Sequence, residues 1–428
     1  MSPTNPDTAK PNRTFWKIAW AGASFQAASS AVDSATVVAS LVYFLTGNVY
    51  GVGAASAVLR LGWLSSQLVV GFLAQRAQRR MPYYCIGAFG RAICIGMIAL
   101  LLLLAKENEP TESLVAVGFL VLWTLYAFIS GIVAVPYNDI VGRSIPSGQR
   151  SRMLAWRFFG GGMMALGVAA IADRLLNAGP VLTAYGWIFA LACALMLVSS
   201  FSFVSAGEPP LVTSIAASPR QQSFGQFLAG GVAVWKRDPK FRLFLYSQWL
   251  AGATLMALPF NVIAATQAGL GIKHIGLLLG AQTVGALVSN PVWGSIGDRH
   301  SKLTLLQRVG WLRVATPVMA VGILAIGDAA GTTTLAAFMG LFFLVGALSN
   351  GMTIGFLGFL MEISPDEQRP AYSAYFNAFA APAALLPLLG AAIADIVSLT
   401  WVFAIAVGAS IAQLLVYRRL TPLSTSKP

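Results

Sequence analysis

The sequence predicts an all-α membrane protein whose twelve transmembrane helices form two pseudo-symmetric six-helix bundles. Three observations support this prediction: the composition, the long charge-free stretches and an internal repeat. Of the 428 residues, 57% are hydrophobic and only 10% are charged, whereas soluble globular chains carry about 25% charged residues. Apolar surface must therefore face lipid, which excludes an ordinary cytosolic enzyme, a disordered chain and a secreted disulfide scaffold.

Each predicted helix is a long apolar segment. Six stretches contain no charged residue, namely 113–138, 175–207, 243–272, 329–361, 370–394 and 396–417. A segment of about 20 apolar residues crosses the hydrocarbon core of a bilayer, and the remaining apolar segments hold only one or two charges. The twelve predicted helices are 16–45, 49–75, 82–105, 113–141, 153–175, 180–206, 240–269, 275–296, 302–327, 332–361, 370–394 and 397–417.

The basic residues predict the orientation of the chain. If the N-terminus is cytoplasmic, 20 of the 28 Lys and Arg residues fall on the cytoplasmic side, and only Lys106, Arg174 and Lys273 fall on the opposite side. Cytoplasmic loops are rich in Lys and Arg, so both termini are assigned to the cytoplasm. This asymmetry explains the net charge of +13 without a nucleic-acid partner. We expect a multi-pass protein of a bacterial-type inner membrane or of a specialised intracellular membrane.

The chain repeats itself at a spacing near 220 residues. Gly71-Phe-Leu-Ala-Gln-Arg76 recurs as Gly294-Ser-Ile-Gly-Asp-Arg299, and Ala169-Ala-Ile-Ala-Asp173 recurs unchanged as Ala391-Ala-Ile-Ala-Asp395. Such a repeat predicts two bundles of the same orientation. The predicted regions are an N-terminal tail over 1–15, bundles over 16–206 and 240–417, a cytoplasmic linker over 207–239 and a C-terminal tail over 418–428.

This organisation resembles the major facilitator superfamily of secondary transporters over nearly the whole chain. The family has a loop motif, Gly-x-Leu-Ala-Asp-Arg-x-Gly-Arg-Arg, after its second helix and again after its eighth. The second copy here keeps Gly294, Asp298, Arg299 and Lys302, and the first copy has Gln75 in place of the family's Asp. The resemblance implies a secondary active transporter, which is not an enzyme and has no cofactor.

Two branches of the family offer narrower resemblances. Val135-Pro-Tyr137, Asp33, Arg60 and Arg157 look similar to the sugar–cation symporters. That branch builds its sodium site from an Asp pair late in helix 2, where this chain has Trp63-Leu-Ser-Ser-Gln67. The length and the loop between helices 4 and 5 also resemble transporters of bacterial magnetosome membranes, which implies iron as an alternative cargo.

Polar residues within the helices predict a substrate and coupling site. A charge at mid-bilayer costs at least about 2.5 kcal/mol, so it faces the bundle interior and is functional by default. Asp33 lies in a polar stripe on helix 1 and Arg60 in another on helix 2, and the two are predicted to pair across a wet cavity. The candidate substrate and coupling residues are Asp33, Arg60, Gln26, Gln67, Arg157, Asn261, Asn350 and Asn377.

Two interpretations of Asp33 stay open. Its protonation couples solute movement to the proton gradient, or it forms a static buried ion pair that fixes helix packing. Arg60, Arg91 and Arg157 make the N-terminal bundle cationic, which hints at an anionic solute, although Asp33 and nearby Asp139 offset this charge. Arg91 and Arg313 occupy matching places in the two repeats, which favours a structural role for both.

The cytoplasmic charges predict a conformational latch that breaks on every transport cycle. Exposed ion pairs are worth about 0–1 kcal/mol each, which suits contacts that must open repeatedly. The latch residues are Gly71, Gln75, Arg76, Arg80, Asp139, Gly294, Asp298, Arg299 and Glu362. Asp139 and Glu362 are the expected acidic partners.

The sequence thus predicts a proton-coupled secondary transporter that moves a small solute by alternating access. The alternatives are an iron or iron-chelate transporter of a magnetosome-type membrane and a non-transporting assembly or sensing factor with the same fold. We expect a monomer whose partners are a small-molecule or ion substrate and the lipid bilayer. No metal site is predicted, because the two His residues lie far apart and the three Cys residues lie inside apolar segments.

Overall fold

A computed structural model describes residues 12–74, 79–105, 109–210, 223–326, 331–365 and 369–425. These residues are almost entirely helical and include no β-strand. Ten helical segments within them are long and apolar enough to cross a membrane, which confirms the predicted all-α membrane fold. The first two predicted helices are not among the ten, so the count of twelve stays a prediction.

The chain forms two compact units, which we call unit 1 (Met1–Asp33 and Gly62–Gln221) and unit 2 (Ser34–Leu61 and Gln222–Pro428). Unit 1 contains α1 (Arg13–Ala31), α4 (Met81–Leu104), α5 (Glu109–Ile132), α6 (Ala134–Ser144), α7 (Ser147–Ala178) and α8 (Val181–Val204). The long helix α3 (Val49–Ala74) begins in unit 2 and ends in unit 1. The segment 34–61 therefore packs with the C-terminal part of the chain.

Unit 2 holds the short helix α2 and the C-terminal helices. These are α2 (Val37–Thr46), α9 (Phe224–Arg237), α10 (Pro239–Leu255), α11 (Phe260–Gln267), α12 (Ile275–Arg299), α13 (Lys302–Ile326), α14 (Thr332–Ile363), α15 (Arg369–Ala380), α16 (Leu386–Ile396) and α17 (Leu399–Thr425). Two 3-10 turns, Ile272–His274 and Ala381–Leu385, complete it. The last helix continues past its predicted end at 417 into the predicted tail.

Side chains on the outer faces of both units are apolar and exposed. Leu104 and Phe201 in unit 1 expose 73% and 62% of their surface, and Ile326 in unit 2 exposes 79%. Soluble proteins rarely expose large apolar residues in such numbers, so these faces are suited to contact with lipid tails. Most buried residues of each unit are Ala, Phe and branched aliphatic residues that pack helix against helix.

Four predicted helices are interrupted in the structure, which corrects their predicted continuity. Helix 1 ends at Ala31 and resumes at Val37, and helix 7 ends at Leu255 and resumes at Phe260. Helix 4 breaks briefly at Val133, and helix 11 contains the 3-10 turn Ala381–Leu385. Proline explains two of these breaks, since Pro259 and Pro382 cannot donate a backbone hydrogen bond.

The breaks in helices 1 and 7 fall at equivalent places in the two repeats. The second pieces begin at Val37 and Phe260, an offset of 223 residues, and the same offset separates Arg76 from Arg299 in the loop motif. A helix break leaves backbone groups without helical partners, which membrane proteins tolerate only inside protein or beside water. Both halves therefore contain the same helix break, which makes it a feature of the repeat and not a local irregularity of one helix.

Glycines allow the second and fourth helices of each repeat to cross closely. A side chain added at Gly285 in α12 would overlap the backbone oxygen of Phe343 in α14, and one at Gly346 in α14 would overlap that of Gln282 in α12. Unit 1 has the same reciprocal arrangement, since Gly62 in α3 touches Ala127 and Gly131 in α5 touches Trp63. Small residues at helix crossings are a common means of packing in membranes.

A short helix, α9, forms the second part of the predicted linker. Ser223 and Gln226 form a reciprocal capping box that starts α9, and Gly230 and Gly231 pack closely against Tyr375 in α15. The predicted linker over 207–239 is therefore helical in its second part. Asp238 then caps α10 by accepting hydrogen bonds from the backbone N–H groups of Lys240 and Phe241.

Candidate functional site

Asp33 lies at the break in the first helix, outside any regular helix. It follows the C-cap residue Val32, and its backbone N–H donates to the carbonyl of Ser30 at 3.2 Å. The predicted polar stripe over residues 26–40 is therefore not one continuous helical face, because α1 ends at Ala31. Gln26 and Ser30 remain on α1, where Gln26 packs against Gly161 of α7, and the Ser30 hydroxyl is buried without a hydrogen-bond partner.

Arg60 and Asp33 belong to different compact units. Arg60 is half-buried in the part of α3 that packs with unit 2, where it lies within electrostatic range of Arg313. Asp33 is the last residue of the first segment of unit 1. The predicted pairing of these two residues stays a prediction. Gln67, farther along α3, lies in unit 1, and its side-chain nitrogen is buried without a partner.

Two arginines lie in the interior of unit 1. Arg91 in α4 is only 3% exposed, and its guanidinium carbon lies 4.0 Å from the ring centre of Phe25 in α1. Arg157 in α7 donates from Nη1 to the hydroxyl of Tyr137 at 3.1 Å. The Nε atoms of both arginines are buried without a hydrogen-bond partner. Both guanidinium groups also act electrostatically on Tyr84, so they surround one shared region.

Unit 2 buries one arginine at the equivalent place. Arg313 in α13 is 6% exposed and donates from Nη2 to the backbone oxygen of Ala251 in α10 at 3.0 Å. In both repeats, then, an arginine of the third predicted helix contacts the first predicted helix. A hydrogen-bond chain lies in the same unit, since the Gln413 side chain donates to the Ser247 backbone oxygen and to the Tyr417 hydroxyl.

The predicted asparagine sites lie on three different helices of unit 2. Asn261 is buried in α11, next to the break in helix 7. Asn350 in α14 donates to the side-chain oxygen of Asn290 in α12 at 2.8 Å, which joins two helices. Asn377 is half-buried in α15. Their roles in substrate binding stay predictions, and the Asn350–Asn290 pair has the geometry of a link between helices.

A charge cluster ties three segments together at the predicted cytoplasmic end of unit 1. Asp139 in α6 accepts from Arg143 at 2.7 Å and lies 3.6 Å from Arg80. Glu208, just after α8, binds Arg143 at 2.8 Å and accepts from the backbone N–H groups of Arg80 and Met81 at 2.9 Å each. The Glu208 carboxylate therefore satisfies the free N–H groups at the start of α4 and complements its helix dipole.

Glu208 was not among the predicted latch residues. Glu208 follows the last apolar residue of helix 6 and precedes Pro209 and Pro210, so it was assigned to the linker. The neighbouring sequence gives no simple signal that its carboxylate binds the start of α4. Among the residues that the structure describes, it is the acidic residue that joins helix 3, helix 4 and the linker.

The remaining latch residues are only partly described. Gln75 and Arg76 lie outside the described residues, and the side chain of Asp298 does too. Gly71 lies near the end of α3, Gly294 within α12, and Arg299 is exposed at the end of α12. Glu362 is exposed near the end of α14. The partners described for Asp139 are Arg80 and Arg143, and the wider latch stays a prediction.

The surroundings of Glu208 set its charge. Burial raises the pKa of Glu208, but hydrogen bonds from Arg143 and from the backbone of Arg80 and Met81 lower it more, so the pKa lies below the ordinary value. Because the pKa of Glu208 is lower in the folded protein than in the unfolded chain, the ionised carboxylate stabilises the fold at pH values above the ordinary pKa of about 4.3. This stabilisation is lost as the pH falls through the lowered value.

We expect Glu208→Gln to destabilise the protein at neutral pH, because charged hydrogen bonds contribute about 1.5–3 kcal/mol each. The measurement is the melting temperature of the purified protein in detergent between pH 7 and pH 3. The deficit of the variant should shrink as the pH falls below about 4.3, where the stabilisation from the ionised carboxylate begins to be lost. Glu362→Gln serves as the control, since Glu362 is exposed. An equal deficit at every pH would contradict the assigned charge.

A second contact joins the start of α3 to α16 within unit 2. The Tyr50 hydroxyl at the start of α3 donates to the carboxylate of Asp395 in α16 at 3.3 Å. One turn farther along α3, a side chain added at Gly53 would lie 2.7 Å from the backbone oxygen of Pro387 and 2.9 Å from Cβ of Ala391. Helices 2 and 11 therefore touch closely here, and we call this the outer contact.

The described residues contain no group of three or more His, Cys, Asp or Glu side chains that could hold a metal ion. Apart from Asp33, the predicted substrate residues are amides and arginines. The structure brings Arg157 and Arg91 into one region and places Asp33 at a helix break.

Comparisons with known proteins identify the fold. Residues 244–428 match the sequence profile of the Major Facilitator Superfamily. Among solved structures, nucleoside transporter NupG is similar with a TM-score of 0.70 and 11% identity, over 95% of this chain and 99% of that one. A bacterial homologue of the iron transporter ferroportin has a TM-score of 0.63 and 14% identity, over 96% and 100%.

A POT family transporter in complex with a thioalcohol conjugated peptide is similar as well, with a TM-score of 0.69, 12% identity and 97% coverage of both chains. An uncharacterized protein of Mycobacterium tuberculosis is 22% identical over 56% of this chain. The chain spans 49% of that relative, about half the length of the curated relatives it matches. These similarities establish the fold and leave the substrate open.

Proposed function

This chain has the fold of the Major Facilitator Superfamily and matches that family over its C-terminal part, and from this premise we propose a narrower function. The protein is a secondary active transporter that moves a small solute by alternating access, coupled to protons. It lies in a bacterial-type inner membrane with both termini in the cytoplasm. Membrane transport itself is supported by the family match and the fold.

The observation that carries the proposal is the pair of equivalent breaks in helices 1 and 7. Discontinuous helices near the membrane centre are where transporters bind substrates and coupling ions. The break in helix 1 contains Asp33, and the compact units also divide between Asp33 and Ser34. A carboxylate at the point where the chain passes from one unit to the other is well placed to couple protonation to a change of conformation.

The break in helix 7 has no carboxylate, since it reads Met256-Ala-Leu-Pro259. Both halves therefore have the helix break, but only the break in helix 1 contains a carboxylate. This difference favours a division of roles in which Asp33 senses protons and the helix 7 break supplies flexibility. A static ion pair for Asp33 would not explain why the repeat preserves the break.

The test is uptake by purified protein in liposomes under an imposed pH gradient, screened across sugars, organic anions and iron chelates. The proposal predicts accumulation of at least one solute when the gradient is present, and collapse of that accumulation when a protonophore removes it. Accumulation that ignores the pH gradient would contradict proton coupling. A solute that equilibrates without accumulating would contradict active transport.

The iron alternative is constrained by the charge of unit 1. Arg91 and Arg157 lie in its interior, and positive groups repel a bare metal cation. An anionic iron chelate remains compatible with this interior. Iron chelates therefore belong in the uptake screen, whereas free ferrous ion is expected to give no signal above protein-free liposomes.

A further inference from the structure

The side chain of Arg157, on α7, lies against α1 at Gly22. A side chain added at Gly22 in α1 would lie 2.5 Å from Cδ and 2.7 Å from Cγ of Arg157, so the glycine makes room for the arginine stem. The guanidinium continues past Gly22 to Tyr137, to which it donates a hydrogen bond at 3.1 Å. The tyrosine ring centre lies 5.4 Å from the guanidinium carbon. These contacts fix the direction of the side chain and leave its Nε atom without a partner.

The internal repeat does not explain Arg157. Arg91 and Arg313 are equivalent residues, and each contacts the first helix of its own half, which is the pattern of an inherited structural role. The region equivalent to Arg157 in helix 11 is Phe376-Asn-Ala-Phe-Ala380, which carries no charge. Arg157 is therefore a charge added to one half only, as a specific function would require.

Arg91 and Arg157 have no acidic partner among the described residues. The ion pairs found among the described residues involve Arg80 and Arg143 with Asp139 and Glu208. Neither Arg91 nor Arg157 is within ion-pair distance of a carboxylate among those residues. Both lie in helices long and apolar enough to cross a membrane, where an unpaired charge is costly. The region between them is positive and would be stabilised by a negative group.

Resting on the proposed transport function, we propose that Arg157, supported by Arg91, binds the anionic oxygen group of the transported solute. The chemical class is a carboxylate or phosphate. A guanidinium presents parallel N–H donors that match two oxygens of such a group, and the Nε donor is buried without a partner. The Tyr137 hydroxyl, already bonded to Nη1, is a second donor for the same oxygens. Arg91 adds charge at a buried position.

The ligand test is the melting temperature of the full-length purified protein in detergent with defined probes. Succinate and inorganic phosphate represent the two oxyanion classes, and dimethyl succinate is the uncharged control. The proposal predicts a saturable rise in melting temperature with at least one of the two anions and none with dimethyl succinate. A preference for one anion identifies the class. Equal shifts with succinate and dimethyl succinate, or no shift with either anion, would overturn the site.

Three variants assign the binding to Arg157. In Arg157→Gln the affinity for the active probe should fall about tenfold or more, because the charged hydrogen bonds are lost. In Arg157→Lys the charge remains but the paired donors are lost, so an intermediate affinity is expected and a stable variant is available if the Gln variant fails to fold. Arg174→Gln, an exposed position on the same helix, should bind like the wild type. Unchanged affinity in both Arg157 variants would refute the proposal.

The binding and uptake experiments together distinguish a failure of the anion site from a failure of the proposed transport function. Uptake of a neutral sugar, with no anion binding, would refute the anion site and leave proton-coupled transport standing. Anion binding that depends on Arg157, with no transport in liposomes, would support the site and refute the transport function. Arg157-dependent binding together with anion uptake supports both.

Discussion

Replacing Asp33 with Asn is expected to abolish uptake driven by a pH gradient while exchange of solute across the membrane continues. Asparagine keeps the size and hydrogen-bonding capacity of the side chain but cannot bind and release a proton. If proton binding at the helix 1 break drives the cycle, the variant loses the link to the gradient. It keeps the solute site and the conformational change, which are sufficient for counterflow.

The measurement compares gradient-driven uptake and counterflow in the same liposomes, with the solute found in the uptake screen. Asp173→Asn is the matched control, since Asp173 is a half-buried carboxylate in a continuous helix, α7. We expect the control to keep gradient-driven uptake. Wild-type dependence on pH in Asp33→Asn would show that the carboxylate is only a structural partner.

The second large effect is expected from the glycine crossings. Gly346→Ala should prevent stable folding, because the added carbon would overlap the backbone oxygen of Gln282 and backbone cannot move aside as a flexible side chain can. Overpacking a well-packed core typically costs about 1–3 kcal/mol, and a clash with backbone lies at or above that range. Gly285→Ala should behave alike, since it faces the backbone oxygen of Phe343.

Gly322→Ala on α13 is the control for this prediction, because nothing lies within 4 Å of the added carbon there. The readout is the yield of monodisperse protein after detergent extraction, followed by its melting temperature. Gly62 is the repeat equivalent of Gly285, and Gly62→Ala should destabilise the protein less, because the nearest atom to the added carbon lies at 2.9 Å in Ala127. A Gly346→Ala protein as stable as Gly322→Ala would contradict the close helix crossing.

Much of the fold could be predicted from the sequence because lipid imposes simple rules. Length, apolarity and the position of Lys and Arg determine spans and orientation, and the repeat at Gly71 and Gly294 relates the two halves. The glycine crossings were not predicted, although Gly62 and Gly285 are separated by the offset of the loop motif, 223 residues. A search for glycines at the repeat offset would have found them.

The helix breaks and the ion pairs were harder to predict. Pro259 is a sequence signal for the break in helix 7, but helix 1 has no proline at its break, where Val32, Ser34 and Thr36 compete with helical structure by weaker local effects. Helical periodicity therefore placed Asp33 on a continuous face that does not exist. Glu208 was missed because its partners lie far away in the sequence, at Arg80 and Arg143.

The most direct test of alternating access is a reversible cross-link at the outer contact. In a variant with Cys85, Cys94 and Cys193 replaced by Ser, Tyr50→Cys and Asp395→Cys place two exposed thiols at positions whose native side chains meet at 3.3 Å, so a short bifunctional methanethiosulfonate can join them. If helices 2 and 11 must separate here in every cycle, this cross-link stops counterflow and a reductant restores it. Each single-cysteine variant should keep counterflow after the same treatment. Full counterflow by the cross-linked protein would contradict the account.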